Sequence, residues 1–86
     1  MKDKHLEIKG LIEEISDQRK SNDSSFCPSE IARIYFDENW RDGMDMVRIV
    51  ADELVKENKL ITLQKGVLIQ DLPSEAKGPI RLKRKD

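Results

Sequence analysis

Apolar residues near the start of the chain recur with the period of an α-helix. Four of them fall at i, i+3, i+4 and i+7, namely Ile8, Leu11, Ile12 and Ile15. This spacing places them on one stripe of a helix, and it predicts helix one within residues 1–18. Residues 19–26 are mostly polar turn formers, and they predict a flexible surface loop.

A second helix is indicated by its start signals. Pro28 suits the first helical position, where its missing N–H costs nothing. Glu30 suits the third position, where its carboxylate can accept from a free backbone N–H. Cys27 then becomes the N-cap. The residues predicted to face the core from this helix are Ile31, Ile34 and Tyr35.

Helix three has a long apolar stripe. Its members follow steps of four and three, and they are Trp40, Met44, Val47, Ala51, Leu54 and Val55. The pattern predicts one buried face, and residues 27–58 then hold helices two and three. Trp40 heads the stripe, so we expect it in the core rather than exposed as a stacking platform.

Two β-prone runs follow helix three. They lie within residues 60–70 and are separated by a Lys-Gly pair, in which Gly66 can supply the positive φ of a tight hairpin turn. A last strand is predicted over residues 80–84. Because side chains alternate along a strand, Ile80 and Leu82 should face the core while Arg81, Lys83 and Lys85 face water.

These elements predict an α+β, mainly helical domain with a winged-helix-like three-helix core, a small antiparallel β-hairpin wing and a C-terminal strand. The 86 residues suit one compact domain over residues 1–86. No run approaches the roughly 20 apolar residues of a membrane span. The single cysteine, Cys27, excludes an internal disulfide. We therefore expect a cytoplasmic protein without a membrane partner.

Short motifs follow one another along the chain. They are Cys27-Pro-Ser-Glu-Ile-Ala-Arg33, Trp40-Arg41, Val47-Arg48 and Gly78-Pro-Ile-Arg81. In this order they resemble a family of small bacterial domains of unknown function assigned to the winged-helix class. The resemblance implies a winged-helix-like fold in a bacterial cytoplasmic protein, and it supplies no catalytic residue.

Cys27 is the residue for which a chemical role has to be weighed. A helix N-terminus stabilises a thiolate, but a cysteine nucleophile also needs a base held nearby. The only histidine, His5, lies in the N-terminal helix. Capping is therefore the favoured interpretation, and thiol chemistry ranks third among the functional hypotheses. No metal-ligand, cofactor or catalytic motif is recognisable, so we predict no metal, no cofactor and no enzymatic activity.

Arg33 and Arg48 sit beside apolar stripes rather than on the open helix faces. We expect their stems to cover the core and their guanidinium groups to pair with nearby carboxylates of Glu30, Asp37 or Asp45. A partly buried Glu30–Arg48 ion pair is specifically predicted to join helices two and three.

Charge separates along the chain although the net charge is −1. Helix three carries more acidic than basic residues, which opposes its entry into a DNA groove. Basic residues gather instead at the hairpin tip and in the last strand. The candidates for phosphate contacts, including one arginine of helix three, are Arg41, Lys65, Arg81, Lys83 and Lys85. These cations, and chiefly the analogy with other winged-helix folds, make nucleic-acid phosphates the first-ranked ligand of a small binding module by a slight margin.

A protein-interaction or homodimerisation module without nucleic-acid binding is the alternative. Met46, Ile49 and Val50 lie off the main stripe of helix three, so their exposure would favour a protein partner. No small-molecule substrate is evident from the sequence.

Overall fold

The computed structural model describes residues 3–85, which form three α-helices followed by a three-stranded antiparallel sheet. The helices are α1 (Lys4–Lys20), α2 (Pro28–Phe36) and α3 (Trp40–Lys56), with a 3₁₀ turn at Asp37–Asn39 between the last two. The strands are β1 (Leu60–Gln64), β2 (Val67–Ile69) and β3 (Arg81–Arg84). The predicted α+β, mainly helical architecture is confirmed. Residues 1, 2 and 86, which belong to the predicted segments 1–18 and 1–86, lie outside the described residues.

α1 extends slightly beyond its predicted end. Asp3 caps the first turn by accepting from the backbone N–H two residues on, at 2.9 Å. Arg19 and Lys20 continue the helix because both are good helix formers and their charge complements the negative end of the helix dipole. The loop that follows is tied down, since Arg19 and Arg81 both donate to the Ser25 carbonyl, at 3.2 and 2.9 Å.

The start of α2 has the predicted capping box. The Glu30 carboxylate accepts from the Cys27 backbone N–H at 2.9 Å, and Pro28 occupies the first helical position. One predicted core residue of this helix is wrong, because Ile34 is 56% exposed. The buried residues of α2 are Pro28, Ile31 and Ala32. At about 100° per residue, Ile34 falls outside the face that they define.

α3 and the sheet build the core together with α1. The buried apolar residues of α3 follow helical spacing, and they are Val47, Val50, Ala51 and Leu54. Val50 was predicted to lie beside the buried stripe, but it belongs to the stripe. Trp40 packs against the core but is only half-buried. Core side chains from other elements include Ile8, Ile12, Phe26, Leu60, Ile80 and Leu82.

The hairpin turn between β1 and β2 is the predicted one. Lys65 and Gly66 have φ values of 52° and 79°, and positive φ at both central residues is the requirement of a type I′ turn. Glycine adopts this conformation without steric cost. The turn therefore fixes the register of the hairpin, in which Leu63 lies opposite Leu68.

β3 lies on the other side of β1, so the strand order is β2-β1-β3. Leu82 is fully buried, and Ile80 just before the strand is buried as well, which confirms their predicted orientation. Phe26 forms an isolated bridge to Leu82, with N–H···O distances of 2.8 and 2.7 Å. The bridge covers part of the free edge of β3.

The corner between α2 and α3 depends on a close contact at Gly43. The ring of Phe36, the last residue of α2, packs directly onto the backbone of Gly43 in the first turns of α3. A β-carbon at this position would overlap the ring. The absence of a side chain thus lets the two helices approach.

We predict that Gly43→Ala destabilises the fold by about 1–2 kcal/mol, because overlap with Phe36 outweighs the roughly 1 kcal/mol gained in helix propensity. Gly10→Ala is the matched control, since Gly10 is exposed inside α1 and a β-carbon there would meet no atom within 4 Å. That variant should be stabilised by about 0.5–1 kcal/mol. Urea unfolding of both variants measures the difference, and equal stabilisation would refute the close-contact argument.

Candidate nucleic-acid interface

One arginine of α3 holds the β2–β3 loop (residues 70–80) at three points. The Arg48 guanidinium donates to the backbone carbonyls of Pro73, Ala76 and Gly78, at 3.3, 2.9 and 2.9 Å. A planar fork of N–H donors suits such a set of diverging acceptors. The loop is thereby anchored at successive points along its length.

The predicted Glu30–Arg48 ion pair is therefore wrong. Arg48 faces the β2–β3 loop, whereas Glu30 pairs with Arg19 of α1 at 2.7 Å. The sequence places Glu30 at the start of α2 but does not show that the end of α1 passes beside it. The competing loop carbonyls belong to the backbone, so no side-chain pattern reveals them.

Further bonds complete the anchoring of the loop. Asp52, one turn beyond the arginine on α3, accepts from the Ser74 backbone N–H at 2.9 Å and also from its hydroxyl. From β1, the Gln64 side-chain amide donates to the Lys77 and Pro79 carbonyls, at 2.5 and 3.4 Å. The loop is therefore fastened to both α3 and the sheet.

The anchored loop forms one wall of a cavity that we call the basic groove. Its volume is about 640 Å³, and it is lined by Cys27, Leu63, Gln64, Lys65, Gly66, Lys77, Gly78, Pro79, Ile80 and Arg81. Lys65, Lys77 and Arg81 are cationic, and none of the lining residues carries a carboxylate. The remaining lining is largely apolar. The basic groove combines positive charge with exposed apolar surface.

The structure brings only some of the predicted phosphate-binding residues together. Lys65 and Arg81 both line the basic groove. Lys83 instead pairs with Asp23 at 2.6 Å, and Lys85 donates to the side-chain carbonyl of Asn58. Arg41 lies at the start of α3, with its guanidinium carbon 4.4 Å from the centre of the Trp40 ring.

Lys77 is the cationic groove residue that was not among the predicted phosphate contacts. It lies in the β2–β3 loop, outside the predicted strands, and its carbonyl is held by Gln64. The cluster of basic residues at the end of the chain includes Lys77, so its charge was visible. Its position across from the hairpin tip depends on the anchoring of the loop and could not be read from spacing.

An ion pair was predicted for Arg33 and a core position for Trp40, but the two side chains stack on each other. The Arg33 guanidinium carbon lies 4.4 Å from the centre of the Trp40 ring, on which Arg41 also stacks. The predicted pairing of Arg33 with a carboxylate is not observed among residues 3–85. Stacking on half-buried Trp40 replaces it as the contact of this side chain.

Cys27 lies half-buried in the wall of the basic groove. Its Sγ accepts from the Ser29 hydroxyl at 3.0 Å. His5 contacts Glu53, on α3, instead of approaching the thiol. The Sγ atom therefore contacts a hydroxyl donor, while the Glu30 carboxylate accepts from the Cys27 backbone N–H, an arrangement that suits an N-cap.

Glu30 combines its capping bond with the pair to Arg19. Burial opposes ionisation of Glu30. The bonds from the Cys27 N–H and Arg19, together with the charges of Arg19 and Arg81, nevertheless hold its pKa below the usual range. The carboxylate thus connects the end of α1, the start of α2 and the wall of the basic groove.

Metal-binding clusters and membrane-spanning helices can both be searched for in the described part of the chain. Between residues 3 and 85, no group of three or more His, Cys, Asp or Glu side chains is placed to hold a metal ion. None of the helices in the same range has the length and apolar character needed to cross a bilayer.

Comparison with known proteins identifies the family of this chain. A family model described as protein of unknown function (DUF3253) matches residues 5–85. The chain belongs to this family. The match includes α1 and the loop after it, which lie before the first of the sequence motifs at Cys27. No curated protein matches the chain.

We predict that Arg48→Ala lowers the free energy of unfolding by about 2–3 kcal/mol, because loop carbonyls lose a charged donor. Arg33→Ala is the matched control: Arg33 is exposed and stacks on Trp40, so its loss should cost less than about 1 kcal/mol. Chemical denaturation measures both variants. Equal stability of the Arg48→Ala variant and the wild type would contradict the anchoring role.

The Glu30 contacts predict a pH-dependent contribution to stability. Because the pKa of Glu30 is lower in the folded protein, the unfolded chain binds more protons, and acid favours unfolding. At neutral pH, Glu30→Gln should cost about 1 kcal/mol, a value reduced by partial exposure of the pair. The difference should persist above the ordinary glutamate pKa of about 4.3 and shrink as pH falls through the lower, folded-state pKa.

Urea unfolding of the wild type and the Glu30→Gln variant from pH 7 downward tests this dependence. Glu14→Gln, on the exposed face of α1, controls for removal of one negative charge. A Glu30→Gln difference that grows on acidification would have the wrong sign.

Proposed function

We propose that this chain is a small winged-helix-like binding module of the bacterial cytoplasm that contacts nucleic-acid phosphates through its wing and basic C-terminal strand. The wing is the β1–β2 hairpin, and the strand is β3. The observation that carries the proposal is the basic groove, where cations from the hairpin tip, the β2–β3 loop and β3 converge without a lining carboxylate. Such convergence attracts phosphate groups.

The charge of α3 argues for approach from the wing rather than from this helix. Its exposed positions include Asp42 and Asp45, which repel phosphates at the end that would enter a major groove. Arg41 offers one cation there, but it is stacked on Trp40. The wing and β3 lack a comparable acidic surface in the lining of the basic groove.

The basic residues Lys83, in β3, and Lys85, just after it, can add to the binding surface. Lys83 pairs with Asp23, whose side chain is 77% exposed, and an exposed ion pair contributes only about 0–1 kcal/mol. A phosphate can therefore replace Asp23 at small cost. Lys85 contacts the neutral side chain of Asn58, so its charge is not compensated by that contact.

A protein partner or a second copy of this chain is the second candidate. Met46 and Ile49 are 40% and 53% exposed, and their i, i+3 spacing places them on one face of α3. Burial of Val50 removes it from this surface. The two exposed side chains support a protein interface of limited size.

Thiol chemistry at Cys27 remains the third hypothesis, and the proposal is for a protein that is not an enzyme. The Sγ atom accepts from a serine hydroxyl. Activation of a cysteine nucleophile requires a base or a strongly electropositive setting. The groove offers cations near Cys27, but the Ser29 hydroxyl that contacts Sγ is a donor and supplies no base.

The basic groove predicts salt-sensitive binding of nucleic acid. Fluorescence anisotropy of labelled mixed-sequence DNA and RNA should show binding at low salt that weakens as salt rises. The double variant Lys65→Asn/Lys77→Ala should reduce the salt slope on duplex DNA by about 1.8, since each phosphate contact contributes about 0.9. Asparagine is chosen at Lys65 because it tolerates the positive φ of the turn.

Lys4→Ala/Lys56→Ala is the matched control, because it removes the same charge from exposed lysines outside the groove. Binding by this variant should resemble that of the wild type. Failure of the wild type to bind any of these nucleic acids at low salt would refute the proposal and place the protein-partner hypothesis first.

A further inference from the structure

The outer face of the sheet continues the apolar surface of the basic groove. Leu63, on the central strand β1, lies opposite Leu68 on β2 and Arg81 on β3. Side chains directly opposite each other point to the same face, so one row crosses all three strands. Leu68 is 53% exposed, and Arg81 is also exposed.

The neighbouring row on this face also places an aliphatic residue opposite a cation. Ile61 on β1 is half-buried and lies opposite Lys83 on β3. The other sheet face is different, since Leu60 and Leu82 are part of the buried core. The outer face therefore presents aliphatic side chains beside cations, and this surface runs into the basic groove at Leu63.

We propose that the basic groove and the adjoining outer sheet face bind an unpaired nucleotide segment of single-stranded nucleic acid. The inference rests on the proposed function and names its ligand class. Backbone phosphates meet Lys65, Lys77 and Arg81, while base faces cover Leu63 and Leu68. The cavity of about 640 Å³ lies within the range of about 300–1,000 Å³ that accommodates small-molecule ligands.

A double helix fits this surface less well. Its bases are stacked inside, so it presents phosphates and sugars to a protein and leaves the aliphatic groove walls uncovered. A single strand can expose its base faces to a protein surface while its phosphates follow a cationic groove. Both kinds of contact are available here only if the bases are unpaired.

The backbone around the groove also permits close approach. Gly66 and Gly78 line opposite parts of it with φ values of 79° and 82°. A β-carbon on Gly66 would meet no atom within 4 Å, so the hairpin tip is open on this side. A strand can therefore pass over the turn without meeting a side chain at Gly66.

Cys27 provides a local reporter, because it is the only cysteine of the chain and lies in the groove wall. The probes are short mixed-sequence single-stranded DNA and RNA and the blunt duplex of the same sequence. Anisotropy gives each affinity, and the rate of Cys27 alkylation by iodoacetamide is measured with each probe bound. At ten times Kd, a bound single strand should slow alkylation about tenfold, since about one-eleventh of the grooves stay free.

Leu68→Ala tests the apolar contact separately from charge. It should weaken single-strand binding about fivefold, as expected for one to two buried methylene groups, with the salt slope unchanged. Leu6→Ala is the matched control, because Leu6 is 63% exposed on α1. Its affinity should equal that of the wild type.

The possible outcomes separate this inference from the proposed function. Tighter binding of single strands with protection of Cys27 supports both. Salt-sensitive duplex binding of equal or greater strength, or bound single strands that leave Cys27 alkylation unchanged, overturns the inference while the proposed function stands. Absence of all nucleic-acid binding at low salt overturns both.

Discussion

The arrangement of the candidate site depends on one interaction, the hydrogen bonds from Arg48 to the backbone carbonyls of the β2–β3 loop. The β2–β3 loop (residues 70–80) contains little regular structure, and its carbonyls need donors. Arg48 supplies them from the middle of α3 at three points. This fixes the loop that carries Lys77 and delivers the chain to β3. Together with the bonds from Asp52 and Gln64, it sets the groove wall and the point at which β3 begins to pair with β1.

Local features of the fold were predictable because they depend on neighbouring residues. The capping box needs only Pro28 and Glu30 at their positions after Cys27. The hairpin needs a turn with positive φ at both Lys65 and Gly66, and the glycine is the signal of such a turn in the sequence. The alternation of buried and exposed side chains from Ile80 through β3 follows from the two-residue period of a strand.

Features that depend on distant segments were not predictable in the same way. Ile34 follows Ile31 by one turn and looks like a core residue in sequence, but α2 packs through the face that contains Ile31 and Ala32, which leaves Ile34 exposed. Glu30 has several arginines as potential partners, and the fold selects Arg19. The site was predicted in part for the same reason: Lys65 and Arg81 were identified by charge, whereas Lys77 required the path of the loop.

The bridge between Phe26 and Leu82 has a consequence for the order of folding. Phe26 is fully buried and lies before α2, yet its backbone partner Leu82 lies in the last strand. Ile80 and Leu82 also complete the core around α1 and α3. Contacts of such separation form only after a large loop has closed. During synthesis, the helices must therefore remain incompletely packed until β3 has left the ribosome.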